Sequence, residues 1–206
     1  SFFYTREGDD VEDRDFPVRK AVCVRRTDMR LLPSDTFYTD DSGYWYDDMA
    51  QNSGILMNEP VLVLWESAGG DWYYVRSSFC TGWVKKADIA FCSDAAFLRY
   101  FDYSEKDSGS FLTVTCDRFL LDAGYLLPPG GAAAGAGQEA SGAGQAEAGA
   151  PGSIPELFMG TYLHTAGWAD ERFATAFGER VPYASYLAEI PWRKEDGSLG
   201  ISYAAI

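Results

Sequence analysis

Apolar and polar positions alternate in short runs along much of this chain, the pattern of half-buried strands. "AVCVRRTDMRLL", beginning at Ala21, alternates and stops at "PSD", which predicts a strand and a turn. "TFYTDDSGYWYDDMAQNSG" is polar and aromatic without helical period, and reads as a long loop between strands. "EPVLVLWES" is an apolar run bounded by Pro60 and the Gly69-Gly70 pair, hence a strand. "GDWYYVRS" alternates strictly, with Trp72, Tyr74 and Arg76 on one face and Tyr73 and Val75 on the other. "CTGWVKKADIAF" reads as a further strand with a short turn after it. "SDAAFLRYF" has apolar residues at helical spacing and Ser93 or Asp94 as N-cap, which predicts a short connecting helix.

The second half repeats this grammar. "SFLTVTCDRFLLDAG" reads as a strand and turn, and "IPELFMGTYLHTAG" parallels "NEPVLVLWESAGG". "DERFATAF" sets Phe173 and Phe177 four residues apart, as on one face of a helical insert. "PYASYLAEIPW" and "GSLGISYAAI" flank "RKEDG", whose Asp-Gly predicts a hairpin. The reading is of two copies of a five-strand unit. Within the second copy, "GGAAAGAGQEASGAGQAEAGAPGS" has almost no large side chain to bury, so it is expected to be a flexible surface loop.

Composition narrows the function classes. The 206 residues are 47% hydrophobic, enough for a real core, and 16% aromatic, which favours strands. The formal net charge of −14 repels phosphate backbones and anionic lipid, so no nucleic-acid partner is expected. No apolar stretch reaches 18 residues, so no membrane span is expected. The opening "SFFYTREGDD" reads as a processed or truncated start, from which a secretion signal has room to have been removed.

The candidate chemistry is thin. Cys23, Cys80, Cys92 and Cys116 include no CxxC pair; their even number allows two disulfides in three connectivities or simply buried thiols. Asp40, Asp41, Asp47 and Asp48 offer oxygen ligands, but without EF-hand spacing they read as solvated turn residues. No metal or other cofactor is expected. His164 is the single histidine, and "TYLHTAG" reads as a strand end.

"RRTDMRLLPSDTFY" followed by "EPVLVLWESAGGDWYYVRSSFCTGWVKKADIAF" resembles a bacterial SH3 (SH3b) domain of the kind found upstream of NlpC/P60 cell-wall cysteine peptidases. The elements carrying the resemblance are "TDMRLLP" with its long loop, the spaced Ser…Asp-Trp…Val of the middle strand, and the closing "GWV" and "DIA". The resemblance is good over residues 20–120 and only in outline beyond. It implies an all-β fold of two tandem SH3-like β-barrels with short connecting helices. The expected layout is an acidic arm at 1–19, a first barrel at 20–92, a helical connector at 93–109, and a second barrel at 110–206 carrying the Gly/Ala-rich insertion 130–153.

In that family two SH3b barrels precede a peptidase that cuts the γ-D-glutamyl-diamino acid bond of peptidoglycan stem peptides, and the first barrel narrows the substrate groove. A cysteine peptidase needs a thiolate, an imidazole and a group orienting it. The family nucleophile lies in an Asp-Cys-Ser-Gly string, and "AFCSDAAF" around Cys92 lacks its Asp and Gly. The expectation is therefore no catalytic residue here, with the peptidase domain outside a chain that stops at "SYAAI".

Tyr44, Trp45 and Tyr46 in the long loop are expected to face Trp72 and Tyr73 across a groove, since rigid aromatic faces bind peptides at low entropy cost. Asp47, Asp48, Glu66 and Asp71 are placed to hold a substrate amine. Trp83, in "GWV", reads as barrel core. The leading reading is a non-catalytic peptidoglycan-targeting and substrate-gating module. Its partners are a stem peptide and an NlpC/P60 catalytic domain in cis or in trans, and its place is the cell envelope, periplasmic or secreted. The alternative is an SH3-like interaction or structural module for an extended or proline-rich segment. A third is a divergent hydrolase using His164.

Overall fold

A computed structural model describes residues 17–39, 48–101, 111–121, 126, 156–168 and 186–206. The acidic start, the Gly/Ala-rich insertion and the expected helix at Phe173 and Phe177 lie outside these residues. Strands dominate, as the all-β reading requires: β1 (Arg19–Cys23), β2 (Thr27–Arg30), β3 (Gln51–Ile55), β4 (Pro60–Glu66), β5 (Trp72–Arg76), β6 (Thr81–Lys85) and β7 (Ile89–Phe91). Helix α1 (Asp94–Phe101) follows, then β8 (Phe111–Thr113), β9 (Arg118–Leu120), β10 (Glu156–Phe158), β11 (Tyr162–Trp168), β12 (Tyr186–Arg193) and β13 (Leu199–Ala205). The first seven strands form one sheet in the order β3-β2-β6-β5-β4-β1-β7; the others form a β10-β9 pair and a four-stranded sheet, β13-β12-β11-β8.

Several boundaries differ from expectation. "AVCVRRTDMRLL" is two strands, because β1 pairs with β4 and β7 whereas β2 pairs with β3 and β6. The chain changes neighbours at Val24, whose N–H donates to Asp88 O at 2.8 Å. The expected long loop ends early: its last residues are β3, an edge strand pinned through buried Ile55. "IPELFMGTYLHTAG" is also two strands, separated by a turn at Gly160, whose φ of +86° suits glycine. The first sheet thus has seven strands rather than five, and its end strands β3 and β7 carry little alternation of their own.

One core packs Ala21, Cys23, Met29, Ile55, Val61, Val63, Tyr73, Val75, Val84 and Ile89 under the first sheet. Burying aliphatic side chains of this size stabilises by about 1.5–3 kcal/mol each. Gly82 is the small residue that lets β6 lie on Met29: a Cβ there would run into the Met29 side chain and sit 2.9 Å from Arg30 O. A second core gathers Leu121, Leu157, Leu163, Ala188, Ile190 and Ala204, and includes Met57 from the β3–β4 turn. The predicted hairpin is the β12–β13 pair, and its tip covers one edge of β7. Phe91 N–H donates to Gly197 O at 2.9 Å, and Arg193 donates to Ile89 O at 2.8 Å. Helix α1 is capped by Ser93, whose Oγ accepts from Ala96 N–H at 3.3 Å. It is tied to β12 by a two-pronged Arg99–Glu189 pair at 2.6 and 2.9 Å.

Candidate functional site

Alternation along β5 sends Tyr73 and Val75 into the core and Trp72, Tyr74 and Arg76 to the opposite face, as expected. On that outer face the ladder sets Trp65 of β4 opposite Tyr74, and Tyr74 opposite Trp83 of β6. The Trp65 and Tyr74 ring centres are 5.4 Å apart with planes at 35°; Tyr74 and Trp83 are 5.3 Å apart at 62°. Trp83 is therefore not barrel core. Gly82 and Val84 are the buried members of "GWV", and strand alternation turns the ring between them outward. Trp65 is 42% exposed, and the Tyr74 hydroxyl donates to Thr81 Oγ1 at 3.2 Å. The row went unnoticed in the sequence because its members lie on three strands; the shift in register between Val63 and Trp65 brings Trp65 into line.

The turn from Glu66 to Trp72 closes on itself. Ser67 N–H donates to Trp72 O at 2.9 Å, and Gly70 carries a φ of +78°. Glu66 is paired with Lys86 at 2.6 Å, and this bond is the main cause that raises the Lys86 pKa above its ordinary value. The Glu66 carboxylate is thus already matched from within the chain. Asp71 is exposed, and no hydrogen bond or ion pair engages its carboxylate among the described residues. Trp72 is buried on the outer side, with the Lys85 ammonium 5.8 Å from its ring centre. Tyr73 is 2% exposed and packs edge-on against Phe91, so its ring belongs to the core rather than to an open groove. Tyr44, Trp45, Tyr46 and Asp47 lie outside the described residues.

Asp48 has a different task from the one expected. Arg30, 6% exposed on the outer face, donates to Asp48 at 2.7 Å, to Thr36 O at 2.7 Å and to Gln51 at 3.3 Å. Asp48 in turn accepts the N–H groups of Tyr38 at 3.1 Å and Ala50 at 3.0 Å. Burial pushes its carboxyl up, but Arg30 and the two N–H groups outweigh that and hold it below the usual range. Arg30 thus clips together both ends of the segment between β2 and β3. The sequence shows only an isolated arginine at the end of a strand, with nothing to mark this role.

The thiols and the imidazole have their own settings. All four cysteines are free thiols. Burial pushes Cys92 up to about 11, against the opposing pull of Lys20, and burial likewise raises Cys23. His164 sits in β11 with its ring edge-on to Tyr100 at 5.0 Å. Burial, then Arg99, lowers its pKa, and Glu189 opposes them. No group of three or more metal-ligating side chains occurs among the described residues. No helix there is long and apolar enough to cross a membrane.

With this geometry in view, residues 36–85 match the SH3 domain family of the SH3b1 type. That segment spans β3 to β6, the latter part of the β2–β3 connection and the whole aromatic row. Among solved structures, the chain is similar to an NlpC/P60 endopeptidase from Photobacterium damselae subsp. piscicida, with a TM-score of 0.56 and 13% identity. The likeness covers 90% of this chain and 31% of that one, so the shared part is the fold of a minor portion of the relative. No curated protein matches the chain.

Proposed function

We propose that this chain is a non-catalytic module that binds cell-wall peptidoglycan and gates substrate for an NlpC/P60-like γ-D-glutamyl-diamino acid endopeptidase. The observation that carries the reading is the SH3b1-type segment, residues 36–85, within a fold shared with an NlpC/P60 endopeptidase over 90% of the chain. In this reading Asp71, at the exposed β4–β5 turn beside Trp72, receives the amino group of a stem peptide. Glu66 acts indirectly, since its bond to Lys86 holds the start of that turn in place. The first barrel-like unit is assigned to residues 20–92, the connector to 93–109 and the second unit to 110–206. The module works outside the cytoplasm, where peptidoglycan lies.

Cys92, the thiol nearest the family's nucleophile string, is unsuited to attack. A nucleophilic cysteine needs a depressed pKa, and burial moves Cys23 and Cys92 the other way. The test is titration of labelled chain with L-Ala-γ-D-Glu-diaminopimelate, followed by NMR. Binding with perturbation at Asp71 and Trp72, and an intact peptide after prolonged incubation, is the expected result. Cleavage of the peptide, or no perturbation with or without an NlpC/P60 catalytic domain added in trans, would overturn it.

A further inference from the structure

We infer that the outer face of β4, β5 and β6 is a second recognition surface, which binds a saccharide chain by stacking it on Trp65, Tyr74 and Trp83. The inference rests on the cell-wall reading and extends it from the stem peptide to the sugar strand.

Outward positions of a half-buried sheet are ordinarily polar. Here three neighbouring strands each put an aromatic ring at the same level of that face. Cross-strand aromatic pairs do stabilise sheets, by roughly 0.2–1 kcal/mol. That role alone does not call for an indole as exposed as Trp65, at 42%.

The charges around the row select the ligand. Lys85 is paired with Asp35 at 2.8 Å, Lys86 with Glu66 at 2.6 Å, and Arg30 with Asp48 at 2.7 Å. What remains beside the rings is one exposed cation, Arg76 on the same face of β5, among neutral polar groups: the Tyr74 and Thr81 hydroxyls, 3.2 Å apart, and the Asn52 amide, which donates to Thr81 O at 2.8 Å. A surface of apolar rings with a hydroxyl and amide border matches a pyranose, whose faces carry C–H bonds and whose edge carries hydroxyls. The net charge of −14 disfavours a polyanion.

Ring geometry favours a chain of separate rings over one flat ligand. Successive planes turn by 35° and 62°, so a fused planar molecule cannot lie on all three. Sugar units that rotate about their linkages can each meet a ring. A proline-rich segment also seeks aromatic side chains, and is the rival to be separated by experiment.

The experiment titrates the full chain with a soluble β-1,4-linked N-acetylglucosamine hexamer, followed by tryptophan fluorescence and NMR. Saturable binding is expected. Trp65→Ala and Trp83→Ala are each expected to weaken it by about tenfold, the scale of losing one stacking anchor. Phe79→Ala, which removes an exposed ring away from the row, is expected to leave it unchanged. Trp65 is exposed enough that its removal should spare the fold, and circular dichroism of each variant checks this. No binding at millimolar hexamer, binding indifferent to both tryptophans, or a preference of these rings for a proline-rich peptide would each overturn the inference. Retained binding to intact sacculi without hexamer binding would overturn it while leaving the cell-wall reading standing.

Discussion

The side-chain amide of Asn58 donates to the backbone carbonyl of Tyr162 at 2.6 Å, joining the β3–β4 turn to β11 across 104 positions of sequence. The same turn sends Met57 into the second core. Asn58 is 1% exposed and holds a φ of +72°, a conformation asparagine tolerates better than most residues. The turn therefore acts as a wedge from the first sheet into the second. Met57→Ala is expected to cost about 2–5 kcal/mol in urea denaturation. Asn58→Gly keeps the backbone and loses the bond, at about 1 kcal/mol or somewhat more. Asn58→Ala should cost more than Asn58→Gly, because it adds backbone strain; the reverse ranking would contradict the wedge.

Gly82 is expected to be intolerant for a different reason. Gly82→Ala drives a methyl group into Met29 and close to Arg30 O. The predicted loss is about 1–3 kcal/mol, the usual cost of overpacking. Met29→Ala empties core space and is costly by itself, but it should combine with Gly82→Ala less than additively, which thermal melts of both single variants and the double variant would show.

These two positions also indicate how far the sequence speaks. The alternation of "WYYVR" assigned Tyr73 and Val75 to the core correctly, since period two is a local property. The β12–β13 hairpin was equally plain, because Asp196-Gly197 states its turn chemistry and Gly197 adopts a φ of +83°. Trp83 was misread as core because "GWV" gives no sign of which residue faces inward; Gly82 pressed on Met29 decides it. The row Trp65–Tyr74–Trp83, the Arg30 clip and the Met57–Asn58 wedge are all products of register and long-range contact, which no single run displays.

Asp48 gives the loop a pH dependence. Its pKa is held below the unfolded value, so the stability it contributes is complete above the unfolded pKa. That contribution disappears as pH falls through the folded value. Carboxyl-carbon NMR should find Asp48 titrating below the ordinary 3.8, and Arg30→Ala should move it upward. An unchanged titration in Arg30→Ala would mean the clip is not formed.

Cysteine reactivity separates a binding module from a hydrolase. Iodoacetamide at neutral pH should modify exposed Cys116 first, and Cys92 slowly, its rate rising steadily as pH climbs toward about 11. Peptide mapping by mass spectrometry reads both sites. A cysteine alkylated rapidly near neutral pH, and protected by adding stem peptide, would revive the hydrolase reading that uses His164.

Sedimentation with purified peptidoglycan sacculi tests the central claim most directly. The chain is predicted to pellet with sacculi in a saturable manner and to release no soluble muropeptide over hours of incubation. A chain that stays in the supernatant at every sacculus concentration, or one that solubilises the wall without any added peptidase, would contradict it.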